Sequence, residues 1–205
     1  MKLGPDRHQA RGFTLMELLI TVSVAAILMA TAAPGFQSLI QQSKQESRVN
    51  ELTGALYYAR SEAIKRSSRI SVCARSSNTS CGTNWDKGWI VFIDNGATPG
   101  VIDTSESVLK VASSLPSGFR VKNTAIVQGA SEATQRSYVR FGPRGLSNWR
   151  GSGTFTFCDG RGTSAARAIN VSMSGDVRHA RADGSGIRYD TFGTALSCTT
   201  QSSDA

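Results

Sequence analysis

Twenty-one residues, 13–33, read FTLMELLITVSVAAILMATAA, and Glu17 is the only charge among them. Sixteen of the 21 are apolar. As a helix the run would be about 32 Å long, the thickness of a bilayer hydrocarbon core. Lys2, Arg7 and Arg11 precede it against one acid, Asp6, an asymmetry that keeps a short N-terminus cytoplasmic. A cleaved secretory signal is the competing reading, since ATA at 30–32 supplies an A-x-A site. Against it, the run exceeds the usual length of a signal's apolar core and carries an acid near its start. A plain membrane anchor is a third reading. Neither alternative explains the glutamate, because a carboxylate in hydrocarbon is costly unless it is paired.

Pro34 and Gly35 fall where the run ends, a natural place for a kink. The polar stretch QSLIQQSKQESR follows, and from Val49 the residues Leu52, Leu56, Ala59 and Ala63 recur at three- and four-residue steps. That spacing is one face of an amphipathic helix. It predicts a single kinked helix from Phe13 to about Ser67, roughly 80 Å long. After Ser68 the pattern becomes strand-like: RISVCA (69–74), GWIVFID (88–94), SVLKVASSL (107–115), FRVKN (119–123), SYVRFG (137–142), GTFTFCD (153–159) and AINVSMSGDVRHAR (168–181). Turns such as SSNTSCGTN, DNGATPG and ADGSG separate them. The expected fold is α+β, a long N-terminal helix packed on a largely antiparallel β-sheet C-terminal domain, with residues 189–205 as a closing loop.

Four cysteines, at 73, 81, 158 and 198, lie far from the apolar run. None has zinc-knuckle spacing, so no metal site is expected. An even number points to two disulfides and an oxidising compartment. Four cysteines allow three pairings. Cys73–Cys81 with Cys158–Cys198 is preferred, because a short hairpin-like loop lies between the first two.

The stretch GFTLME (12–17), between a basic leader and the apolar run, resembles the processing site of type IV pilins and type II secretion pseudopilins. The resemblance implies that a prepilin peptidase removes residues 1–12 by cutting between Gly12 and Phe13, and that Phe13 is then N-methylated. It implies that Glu17 meets the N-terminal amine of a neighbouring subunit during assembly. It divides the chain into a leader (1–12), a transmembrane and assembly helix (13–33), an amphipathic helix (34–68) and a β-rich periplasmic domain (69–205). The stretches LYYARSEAIKR (56–66), GWIVFID (88–94) and INVSMSGDVR (169–178) are similar to the GspH/FimT branch, minor pilins and pseudopilins near a filament tip or initiating complex. A single-pass inner-membrane protein is expected, with other pilins as partners. The same N-terminal chemistry serves the type IV pilus and the type II secretion system.

Residues 136–188 hold nine arginines, no lysine, and three acids, Asp159, Asp176 and Asp183. Arginine's planar fork suits phosphate. Some FimT-like proteins bind DNA through a Gly-Arg-x-Arg motif, and the matching stretch here is Gly175-Asp176-Val177-Arg178, with an aspartate in place of the first arginine. Arg178, Arg181 and Arg188 are therefore the candidate DNA-binding residues, and a solvated basic face is the competing reading. No catalytic residue or cofactor is expected. His8 lies in the leader, leaving His179, which reads as a surface residue, and no nucleophile elbow, zincin or Walker motif occurs. GRGTSA (160–165) matches a dinucleotide fingerprint, but a strand follows too soon for the helix such a site needs.

Overall fold

The computed structural model describes residues 13–103, 106–126 and 134–198, with 31–34 by backbone only. Its first element is helix α1, Leu15–Lys65, 51 residues long. The chain divides into two units, Met1–Ile40 and Gln41–Ala205. In the first, the described large apolar side chains are exposed, from Phe13 at 82% to Ile40 at 52%. A helix apolar all round has no inner face of its own. Among the described residues no single helix is long and apolar enough to cross a membrane; Leu15–Ala30 and Gly35–Lys65 pass that test only together, as a pair bent at a short break. The break between the two spans residues 31–34.

In the second unit α1 has one buried face. Val49, Leu52, Leu56, Ala59 and Ala63, the periodic residues of the sequence, are all buried, joined by Ala55. The helix stops in a Schellman-type turn: Ser68 N–H donates to Ala63 O, Ser67 N–H to Ile64 O, and Ser67 takes φ 50°. Serine here fills the left-handed position usually given to glycine. Lys65 lies in the last turn, where a cation meets the negative end of the helix dipole.

Among the described residues nine strands follow: β1 (Ile70–Ser77), β2 (Ser80–Gly82), β3 (Trp89–Ile93), β4 (Val108–Val111), β5 (Arg120–Ala125), β6 (Tyr138–Phe141), β7 (Gly153–Cys158), β8 (Arg167–Val171) and β9 (Val177–His179). All the strand pairs are antiparallel. One sheet runs β2-β1-β3-β4 with β6 also paired to β1, and the other runs β5-β7-β8-β9. The main core joins α1 to both sheets, through Val72, Val91 and Phe141 of the first and Phe155, Ile169 and Val177 of the second. Trp85 and Phe155 meet edge to face at 4.7 Å. Strand β1 is buried on both faces, since Cys73 joins a second cluster with Ile90 and Phe92. That explains why RISVCA is nearly continuous in apolar and small residues instead of alternating.

Two sequence expectations need correction. The stretch 168–181 is a hairpin, β8 and β9, turned at Ser172–Asp176 by Gly175 N–H donating to Ser172 O. The turn-rich SSNTSCGTN contains β2, which pairs with β1 through Arg75 opposite Cys81. Residues 182–198 make isolated bridges, Ala182 with Arg188 and Tyr189 with Ala195. Leu196 seats this segment on Ala166 and Ala168.

Candidate assembly element and basic surface

Thr14 immediately precedes α1, and its Oγ1 accepts the Glu17 backbone N–H at 3.2 Å. This is half of a capping box, threonine at the N-cap and glutamate at the third helical position. The first turn also carries the positive end of the helix dipole, which favours an anion there. Thr14 thus caps the helix start, while the carboxylate of Glu17 makes no hydrogen bond among the described residues and is favoured there only by the dipole. Its backbone is held, while its exposed carboxylate takes no ion-pair partner among the described residues. Phe13 lies just ahead of the helix, and Gly12 falls outside the described residues. The sequence reading missed the capping role, although T-x-x-E is a recognisable signal.

Cys73 is bonded to Cys81 and Cys158 to Cys198, each pair with Cα atoms 5.7 Å apart. The first staples β2 to β1. The second ties the C-terminal segment to β7, where Thr191 N–H also donates to Thr154 Oγ1 at 3.0 Å.

Part of the arginine surplus is spent inside the fold. Arg161 ion-pairs Asp159 at 2.6 Å and donates to Gln45 Oε1 of α1, while Gln45 Nε2 donates to Phe157 O. Burial pushes the Asp159 carboxyl upward, but the hydrogen bonds and charge of Arg161 outweigh it and hold the group below the usual carboxylate range. Arg167 faces Glu46 at 3.8 Å, and Arg140 faces the fully buried Asp94 at 3.7 Å. Of the three DNA-binding candidates, Arg178 is exposed but paired with Asp176, the aspartate replacing the motif's first arginine. Arg188 is half-buried and donates to Ala166 O at 3.3 Å; burial and the nearby Arg167 charge lower its pKa. Arg181 is exposed and, with Arg144 and Arg150, has no ion pair among the described residues. The structure thus leaves Arg181 as the one unpaired, exposed member of the trio.

Gly175 serves packing. With φ 75°, it lies so close to the 142–147 loop that an added Cβ would come within 1.9 Å of Gly145 O. Arg60 of α1 clamps the two loops together, donating from Nε to Gly145 O and from Nη2 to Ser174 O. The 3₁₀ turn Thr163–Ala165, followed directly by β8, occupies the place where a dinucleotide site needs a helix.

Residues 48–175 match the family of the type II transport protein GspH, and residues 7–33 match the prokaryotic N-terminal methylation motif. The fold is similar to that of the type IV minor pilin FimU of Pseudomonas aeruginosa, with 21% identity, a TM-score of 0.51, and 74% of this chain and 96% of that chain covered. The minor pseudopilin EpsH of the Vibrio cholerae type II secretion system aligns at 8% identity and a TM-score of 0.43, covering 66% of this chain and 95% of that one. No curated protein matches the chain.

Proposed function

The chain belongs to the family of the type II transport protein GspH, minor pilins and pseudopilins, and we propose that it helps to initiate or cap a filament of the type IV pilus or type II secretion kind. In this reading residues 1–12 are removed between Gly12 and Phe13, Phe13 is N-methylated, and residues 13–33 hold the protein in the inner membrane with its β-rich domain in the periplasm. The observation that carries it is Glu17: a carboxylate without an ion-pair partner among the described residues, in the first turn of a helix whose described apolar side chains up to Ile40 are exposed. Cleavage creates an amine on Phe13 at the same depth, so a neighbouring subunit brings the missing cation. The role is structural and needs no bound cofactor.

The test is Glu17→Val. The variant should be processed and inserted normally, and more readily if anything, since moving an ionised acid to mid-membrane costs roughly 2.5–3.5 kcal/mol and less near the edge. It should co-purify with its pilin partners at a reduced level. Wild-type recovery with those partners would show the pairing to be dispensable.

The second reading is DNA binding for uptake, through Arg178, Arg181 and Arg188. The observation in its favour is the exposure of Arg178 and Arg181 beside the Gly-rich turn at 183–186. The Arg178–Asp176 pair and the half-burial of Arg188 weigh against it, and it ranks second.

A further inference from the structure

An open groove of about 510 Å³ lies beside β6. Tyr138 and Arg140 of β6 form one side, Asn148 and Arg150 of the following loop the other, and Leu146 and Met173 make an apolar lip, 44% and 50% exposed. The backbone along this edge is already used. Trp149 Nε1 donates to Tyr138 O, Asn148 N–H to Arg140 O, Arg140 N–H to Asn148 Oδ1, and Gly142 N–H to Leu146 O. An incoming strand therefore finds no free ladder here, and recognition falls to side chains.

Those side chains are donors. Arg140 Nη1 is buried without a hydrogen-bond partner among the described residues. Its nearest carboxylate oxygen, Asp94 Oδ2, stands 3.7 Å away and already accepts from Ser71 Oγ and from Gly100 N–H. Arg150 is exposed and has no ion pair among the described residues. The Tyr138 hydroxyl and Asn148 Nδ2 make no hydrogen bond among them either. Among the described residues no carboxylate lines the groove.

We propose that this groove receives an acidic side chain on a peptide segment of a partner subunit, the carboxylate meeting Arg140 and Arg150 and its apolar neighbours resting on Leu146 and Met173. A carboxylate matches the guanidinium fork geometrically. A nucleic-acid strand needs cations in series and stacking platforms along its path. Among the described residues this groove has two guanidiniums, one of them facing Asp94, and a single aromatic ring. Membership in a family of filament subunits favours a protein occupant, since a neighbour in a filament is held at high effective concentration and a weak site suffices. The inference rests on that membership and not on the DNA reading, whose residues lie elsewhere.

The test titrates the full-length chain in zwitterionic detergent with N-acetyl-Leu-Glu-Leu-amide, its Leu-Gln-Leu counterpart, inorganic phosphate and uridine monophosphate, followed by NMR and calorimetry. The Glu peptide should bind with a Kd on the order of a millimolar, and the Gln peptide about tenfold more weakly. Arg150→Gln should weaken the Glu peptide by about fivefold, while Arg181→Gln leaves it unchanged. Leu146→Ser should weaken both peptides alike. Equal binding of the two peptides, no binding of either, or indifference to Arg150→Gln would overturn the proposal. Binding of phosphate or the nucleotide without the Glu peptide would also overturn it, assigning the groove to phosphate anions. A chain that is processed at Phe13 yet ignores the Glu peptide loses this inference and keeps its filament role.

Discussion

Thr14 caps the start of α1 through the Glu17 backbone N–H, and the Glu17 carboxylate stays exposed without an ion pair among the described residues. Gly175 is the other residue whose role is fixed by its surroundings. A positive φ alone costs a side chain about 1–3 kcal/mol, and the Gly145 carbonyl adds a clash. Gly175→Ala should therefore lower the melting temperature of the detergent-solubilised protein, whereas Gly184→Ala, with nothing near its Cβ position, should leave it unchanged. Next to Gly175, Asp176 neutralises Arg178. If this surface binds DNA, the interaction should be non-specific, with a log–log salt slope of about −2 to −3 from two or three phosphate contacts. Asp176→Arg should steepen that slope by about 1 or more, and Arg178→Gln with Arg181→Gln should flatten it by about 2. Fluorescence anisotropy at two salt concentrations measures both. Absence of salt-sensitive binding in the wild type and in Asp176→Arg removes the DNA role.

Among the elements, the C-terminal segment 182–198 depends most on a covalent tie. It rests on Leu196, a threonine–threonine contact and Cys198. In the chain-entropy account, closing the 40-residue separation between Cys158 and Cys198 contributes about 4 kcal/mol. Cys198→Ser should lower the melting temperature and open the segment to protease, while α1 and the main core stay protected; unchanged proteolysis would show that Leu196 alone suffices. The buried face of α1 was legible because its period of three and four residues is the direct imprint of one-sided packing. So were the strands with a continuous apolar run. Strand β2 was not, since three residues in a Ser- and Gly-rich turn carry no periodic signal and pair only because β1 is beside them. The hairpin of β8 and β9 was hidden for the same reason, its turn lying inside what reads as one segment. The arginine surface was least legible: nine arginines in sequence suggest a basic face, yet Arg140 and Arg167 meet carboxylates about 46 and 121 positions away, at Asp94 and Glu46. Composition registers charges, and only the fold pairs them.

At the scale of the whole molecule, the two units differ in kind. Gln41–Ala205 holds the buried clusters, both disulfides and both sheets, whereas the described part of Met1–Ile40 is a helix with its apolar side chains outward. Such a helix needs lipid or other helices to cover it. In the proposed reading a filament subunit would use both in turn, lipid before assembly and other helices after it, and the exchange would need an N-terminus cut to place an amine beside Glu17. A secretory signal would instead be discarded with the helix, leaving no assembly element. Mass spectrometry of the N-terminal peptide from membrane-extracted protein separates the two directly. A mature chain beginning at N-methylated Phe13, with processing lost in Gly12→Val, is the predicted result; a chain beginning at Ala33 or Pro34, or one keeping residues 1–12, would contradict it.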